Sequence, residues 1–160
     1  MSDYNHNSIQ AHSQPGKEHI VFSVFDKNKG ADYNYTNHDQ ARIRMDNAGI
    51  SYVEAKGKYN GFKEKSFIVS MDHLDYVVDL ANKCNQETLL ILKPTDGHGL
   101  RPAILMHIKD FNRLEPIGWL KSVTEARAKK KDTYLYRPDM DTYWITVTDR
   151  NKEVFVGSTD

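Results

Sequence analysis

Seven residues restrict the fold more than any other stretch. Glu64-Lys65-Ser66-Phe67-Ile68-Val69-Ser70 reads as a strand, so Glu64, Ser66, Ile68 and Ser70 share one face and Lys65, Phe67 and Val69 the other. The Phe67/Val69 face needs an apolar cover, whereas the Glu64/Ser66 face carries a carboxyl and a hydroxyl. Just before this strand, Gly57-Lys58-Tyr59-Asn60-Gly61-Phe62 sets two glycines around a tyrosine, which reads as a glycine-framed turn. Residues 50–55 form the preceding strand, so the whole is a hairpin. Such a stretch serves either as ordinary sheet or as a small-molecule site in which an aromatic ring and a carboxylate flank a turn.

The remaining elements follow from periodicity. Residues 19–25, His-Ile-Val-Phe-Ser-Val-Phe, are apolar on both parities and predict a central strand covered on both sides. Residues 26–35 read as a long polar loop, and Thr36 or Asn37 as the N-cap of a helix ending near Ala48, with Gly49 after it. Asp72 is placed to cap a second helix. In that helix Leu74, Val77, Val78, Ala81 and Cys84 stand at i, i+3, i+4, i+7 and i+10, the best helical stripe in the chain. Cys84 closes the stripe as a core residue.

Residues 88–92 and 102–108 are further strands, separated by the loop signal Pro94-Thr95-Asp96-Gly97-His98-Gly99. The order β-α-β-β-α-β predicts an α+β, ferredoxin-like antiparallel sheet with two helices on one face. C-terminal strands are appended: residues 133–136 and 142–148 form a last strand pair. The segment 122–131 reads as a short helix running into the basic run 127–131, a solvated element end.

Composition narrows the function. Lys plus Arg and Asp plus Glu both total 22, so a chain devoted to gripping nucleic-acid backbone is excluded. One cysteine among 160 residues allows no internal disulfide, which fits a cytoplasmic setting. No apolar run is long enough to span a membrane. The polar segment 1–17 and residues 150–160 are expected to be tails around a single domain, 18–149. Near-zero net charge mildly favours self-association.

Most chemistries lack their residues. The seven histidines are scattered with no i, i+4 pair, so no metal site is expected. No nucleophile elbow of the G-x-S-x-G kind occurs. Gly97-His98-Gly99 is too short for a phosphate loop and has no lysine. Asp139 and Asp141 read first as turn residues. The hairpin stretch remains, with Glu64 and Ser66 on the helix-free face beside Tyr59 and Phe62. On a monomer that face would be wet. Packed between subunits, the same carboxylate would act at a lower effective dielectric.

Three segments carry a resemblance to a known family: Val21-Phe22-Ser23-Val24-Phe25; Gly57-x-Tyr59 with Glu64 five residues on; and Leu80-Ala81-Asn82-Lys83-Cys84-Asn85-Gln86-Glu87 leading into Leu89-Leu90-Ile91-Leu92-Lys93. The chain resembles the phage-encoded S-adenosylmethionine lyases, formerly called SAM hydrolases, over roughly residues 19–148. The resemblance implies cleavage of S-adenosylmethionine to 5′-methylthioadenosine and L-homoserine lactone, without a cofactor or metal. It also implies a PII-like homotrimer with active sites between subunits, acting in a host cytoplasm against SAM-dependent restriction and methylation. Glu64 is then implied as the required residue. Tyr59 and Phe62 are candidates for stacking or cation–π contact, with Ser66, Asn85 and Gln86 as polar contacts to substrate. Partners other than substrate and further copies of the chain, such as nucleic acid or membrane, are not expected. A non-catalytic SAM- or nucleotide-binding regulatory domain is the alternative. A phage inhibitor of a host protein, presenting Trp119, Tyr134, Tyr136 and the basic run, is another.

Overall fold

A computed structural model describes residues 17–148. The expected tails, 1–17 and 150–160, lie outside the described residues apart from Lys17. Among the described residues eight strands and three helices follow one another. β1 (His19–Phe22) leads to α1 (Ala31–Asn47), then β2 (Tyr52–Tyr59) and β3 (Phe62–Ser70). A single 3-10 turn, Met71–His73, precedes α2 (Leu74–Lys83), β4 (Thr88–Leu92), β5 (Arg101–His107) and β6 (Asp110–Val123). α3 (Glu125–Lys129), β7 (Tyr134–Arg137) and β8 (Thr142–Val147) are the last of the described elements.

The strands close into an antiparallel barrel in the order β1-β3-β2-β7-β8-β6-β5-β4, with β4 pairing back onto β1. This overturns the ferredoxin-like α+β expectation. The first half of the chain does lay β2, β3, β1 and β4 side by side with α1 and α2 on their outer face. The difference lies in the C-terminal strands, which are not an appendage. β5 to β8 continue the sheet from the free edge of β4 and return to β2, pairing Lys56, Gly57 and Lys58 with Tyr136, Leu135 and Tyr134. Closure removes both sheet edges, and unpaired N–H and C=O groups on the edge strands find partners in the same chain.

The barrel wall explains the alternation. Phe67 and Val69 point outward and pack with Ile20, Phe22, Leu89 and Ile91 under Ala41 and Met45 of α1 and Val77, Leu80 and Ala81 of α2. Ile68 points inward, with Val21, Val53, Ala55, Leu92, Ala103 and Leu120. A face free of helices is therefore the inside of a barrel rather than an open surface.

α1 begins six or seven residues earlier than its sequence suggests, with Gly30 at the N-cap position. Its buried positions are Asn34, His38, Ala41 and Met45, a helical stripe whose first half is polar. Asn34 clamps the backbone of Asp26, accepting from its N–H at 2.8 Å and donating to its carbonyl at 3.1 Å. His38 stacks on Phe67, 4.2 Å between ring centroids, and its Nε2 lies 2.7 Å from Glu54. Polar side chains with tertiary partners hid the helical period. Asp72 does not cap the second helix either: its N-cap is His73, with no side-chain cap hydrogen bond, and Asp72 lies in the 3-10 turn before it, donating its N–H to the capping Ser70 hydroxyl.

The hairpin at 57–61 also differs from expectation. Gly57 lies within β2, paired with Glu64, and the turn is only Asn60-Gly61, with φ of 50° and 83°. Positive φ at both central residues marks a two-residue primed turn, for which Asn-Gly is the favoured pair. Its tip is tied to the C-terminal third: Asn60 N–H donates to Thr133 Oγ1 at 3.0 Å and Gly61 N–H to Asp132 O at 2.8 Å.

Candidate active site

The barrel has a polar plug at one end and an opening at the other. At the plugged end the buried Arg137 pairs with Asp139. Arg101 donates to the carbonyls of Lys93, Lys17 and Leu92 and to His19 Nδ1. Burial and then the neighbouring Arg137 charge lower the Arg101 pKa to about 10. The two guanidinium groups thus close the floor, tied to Asp139, His19 and backbone carbonyls.

The opposite end holds a cavity of about 190 Å³, well above the room one water requires. Strand ends converge there: Val21 to Ser23 at the end of β1, Gly57 to Tyr59 of β2, Glu64 and Ser66 of β3, and Gln86 and Thr88 before and on β4. The far wall is Leu90, Leu105, Ile117, Leu120, Leu135 and Trp144, with Thr133, Tyr134 and Thr146 completing the lining. The cavity is a mostly apolar well with a polar upper rim.

Glu64 is the only acidic residue in that lining, and no described residue hydrogen-bonds to it or forms an ion pair with it. Burial pushes its carboxyl up to about 7. The other charged lining residue, Lys58, does not neutralise it, because its Nζ sits over the Tyr134 ring at 5.8 Å. An acid held in an apolar well with no cation beside it is poised to receive one from a ligand.

The other candidates divide. Ser66 is buried in the cavity wall, Tyr59 stands half-exposed at its mouth, and Gln86 lines the rim. Phe62 is not part of the lining and packs edge-on against Phe25 with centroids 6.5 Å apart. Asn85 is exposed, with φ of 59° in the turn that ends α2, and is also outside the lining. Ser23 lines the cavity with its hydroxyl occupied, donating to Lys65 O at 2.7 Å and accepting from Phe25 N–H at 3.0 Å. Sequence reasoning missed the C-terminal wall, Leu135, Trp144 and Thr146. Their inward parity is set by pairing of Gly57 with Leu135 and Leu135 with Trp144, which no local pattern announces.

Among the described residues no three His, Cys, Asp or Glu side chains converge as metal donors. His38 and His107 each face a glutamate at 2.7 Å. Cys84 is half-buried against the helix-covered core, where burial raises its pKa. In the basic run, Lys129 pairs with Glu125 at 2.8 Å across one turn of α3. No described helix is long and apolar enough to cross a membrane.

The site is thus a closed barrel with a single-mouthed apolar well and one unneutralised acid. The sequence matches the S-adenosylmethionine lyase family over residues 20–147, and the chain belongs to that family. No curated protein matches it. The family assignment makes this a lyase, and S-adenosylmethionine, a sulfonium cation, is its implied substrate.

Proposed function

We propose that the protein cleaves S-adenosylmethionine to 5′-methylthioadenosine and L-homoserine lactone inside the barrel. The observation that carries this reading is the unneutralised Glu64 carboxyl in an otherwise apolar well. One oxygen of the substrate carboxylate attacks Cγ, the Cγ–S bond breaks, and its electron pair returns to sulfur as a neutral thioether. No water enters and no proton moves. The opposite charges of carboxylate and sulfonium vanish together, a change that a low-dielectric enclosure favours. Holding the near-attack conformer supplies the rest, up to about 7–11 kcal/mol in favourable cases.

Glu64 then has a restricted role. An anion beside the sulfonium would stabilise the ground state more than the transition state and slow the step. Its partner is therefore the α-ammonium, which keeps its charge throughout and whose capture folds the methionine chain. Tyr59, in the cavity lining, would make a cation–π contact with the entering cation. A homo-oligomer, the trimer of the family resemblance, remains part of the proposal as a cover for the mouth. Consuming the methyl donor would starve methyltransferases and SAM-dependent restriction, the anti-restriction role proposed for a phage setting.

Product analysis tests this reading. Methylthioadenosine with lactone at the first time point is the expected result. Homoserine in place of lactone from the start would make the reaction hydrolytic. Ligand retention without turnover would leave a binding domain, and no effect on S-adenosylmethionine would remove the substrate.

The pH dependence has a definite sign. Free Glu64 titrates at about 7, and the cation prefers the ionised form. The value of kcat/KM is expected to fall towards tenfold per unit below that pH, and to fall again at alkaline pH once the substrate α-ammonium loses its proton. A profile without an inflection between about pH 6 and 8 would show that ionised Glu64 is not what binds the substrate.

A further inference from the structure

Ser66 is buried in the cavity wall, 5% exposed, and no described residue hydrogen-bonds to its hydroxyl. Its oxygen is not sealed in either: the sealed, unpaired side-chain atoms among the described residues are His38 Nδ1 and Asp46 Oδ1. The Ser66 hydroxyl therefore opens onto the cavity with both its donor and its acceptor capacity unused. Ser23, the other serine of the lining, has its hydroxyl engaged by Lys65 O and Phe25 N–H.

Its placement beside Glu64 is set wholly within β3. Glu64 and Ser66 share the inward parity of Ile68 and pair with Gly57 and Ala55 of β2. They stand one pleat repeat apart, about 7 Å between Cα atoms. Opposite them β2 carries nothing larger than the alanine methyl, so the neighbouring strand leaves the pair uncovered. The donors at Thr88, Trp144 and Thr146 stand on β4 and β8, neither of which pairs with β3. Thr133 Oγ1 is engaged by Asn60 N–H, and Gln86 donates to the Phe25 carbonyl. Lys58 Nζ lies over the Tyr134 ring.

An acid and a hydroxyl side by side on one strand match a ligand that carries a cation and an anion on one carbon. The methionine head of S-adenosylmethionine is such a group. Its ammonium and carboxylate share Cα, whereas ribose and adenine lie beyond the sulfonium. Resting on the lyase reading above, with the ammonium at Glu64, we propose that Ser66 binds and orients the nucleophile. Its Oγ–H donates to the carboxylate oxygen that does not attack, which leaves the other oxygen aimed at Cγ. A neutral donor suits this task better than a cation. It fixes the direction of the carboxylate without neutralising the charge that must attack.

Two unreactive ligands, S-adenosylhomocysteine and its decarboxylated counterpart, test this without depending on catalysis. Both lack the sulfonium leaving group, and they differ only in the carboxylate. Calorimetric titration of the full chain gives the ratio of their affinities. Ser66→Ala is expected to lower the ratio of carboxylated to decarboxylated ligand by about tenfold or more, the loss of one hydrogen bond to a charged group. Ser66→Thr keeps the hydroxyl and is expected to hold the ratio within about threefold of wild type. A role confined to the barrel wall, or a contact with ribose, would weaken both ligands alike. Either leaves the ratio unchanged in Ser66→Ala and overturns the proposal. A ratio lost in Ser66→Thr as well, or binding of neither ligand by the wild-type protein, also overturns it. Turnover of S-adenosylmethionine measured alongside separates the failures. With turnover present only the Ser66 assignment falls, and with turnover absent the lyase reading falls with it.

Discussion

Glu64→Gln is expected to lower kcat by about 10²-fold or more while weakening substrate binding far less. The amide keeps the size of the carboxyl, so the well retains its shape and apolar wall. What it loses is the anion that fixes the α-ammonium and folds the methionine chain. Adenine, ribose and sulfonium still find their surfaces, but the carboxylate is no longer delivered to Cγ. Single-turnover measurements beside equilibrium binding separate the two effects, and wild-type turnover in the variant would sink the assignment.

The same substitution should make the free protein more stable above neutral pH. Glu64 has a folded-state pKa of about 7 against an ordinary 4.5, so the folded chain holds its proton more tightly than the unfolded chain. The stability from this group is full below about pH 4.5 and is lost as pH rises to about 7. Glutamine has no such loss. The expected gain at about pH 8 is on the order of 1–3 kcal/mol, absent at about pH 4, and readable as a rise in Tm. A site residue whose removal stabilises the fold is the signature of a charge kept for function rather than packing.

Gly57→Ala is expected to be the most disruptive single-methyl change in the hairpin. A Cβ at this position would stand 2.1 Å from the Tyr134 carbonyl oxygen and 3.0 Å from its carbon. Both are backbone atoms of β7, so no side chain can move aside. The β2–β7 seam spans only three residue pairs, Lys56, Gly57 and Lys58 with Tyr136, Leu135 and Tyr134. Forcing it apart there should cost about 3 kcal/mol or more and open the wall beside Glu64. Loss of activity together with a lowered unfolding midpoint is the expected outcome. An alanine variant with unchanged stability would show that this seam does not close the barrel in solution.

Glu64, Ser66 and their shared face were legible in the sequence because side-chain direction along a strand has period two. That period holds whatever the strand pairs with. Gln86 was legible as a polar residue following the α2 stripe and preceding an apolar strand. Asn85 looked equivalent, and only the left-handed backbone at the end of α2 turns it outward. Phe62 shares the parity of Glu64, yet the Phe25 loop draws it away from the cavity. The start of α1 was hidden because Asn34 and His38 are buried through hydrogen bonds and stacking, which apolar periodicity does not register.

The glycine-framed stretch shows where local and tertiary information part. Its alternating strand, its turn chemistry at Asn60-Gly61 and the helix stripe that covers Phe67 are consequences of short-range sterics and amphipathicity, and the sequence determined them alone. Which edge β7 would take, and so whether the Glu64 face meets solvent, another subunit or the far wall of its own barrel, depends on pairings between residues some 80 positions apart, such as Gly57 with Leu135. Those pairings are chosen by the total edge and apolar surface that closure satisfies, a property of the whole chain. Tertiary structure therefore decided that the carboxylate lies inside a barrel, where burial alone brings it to the pH range in which it can work.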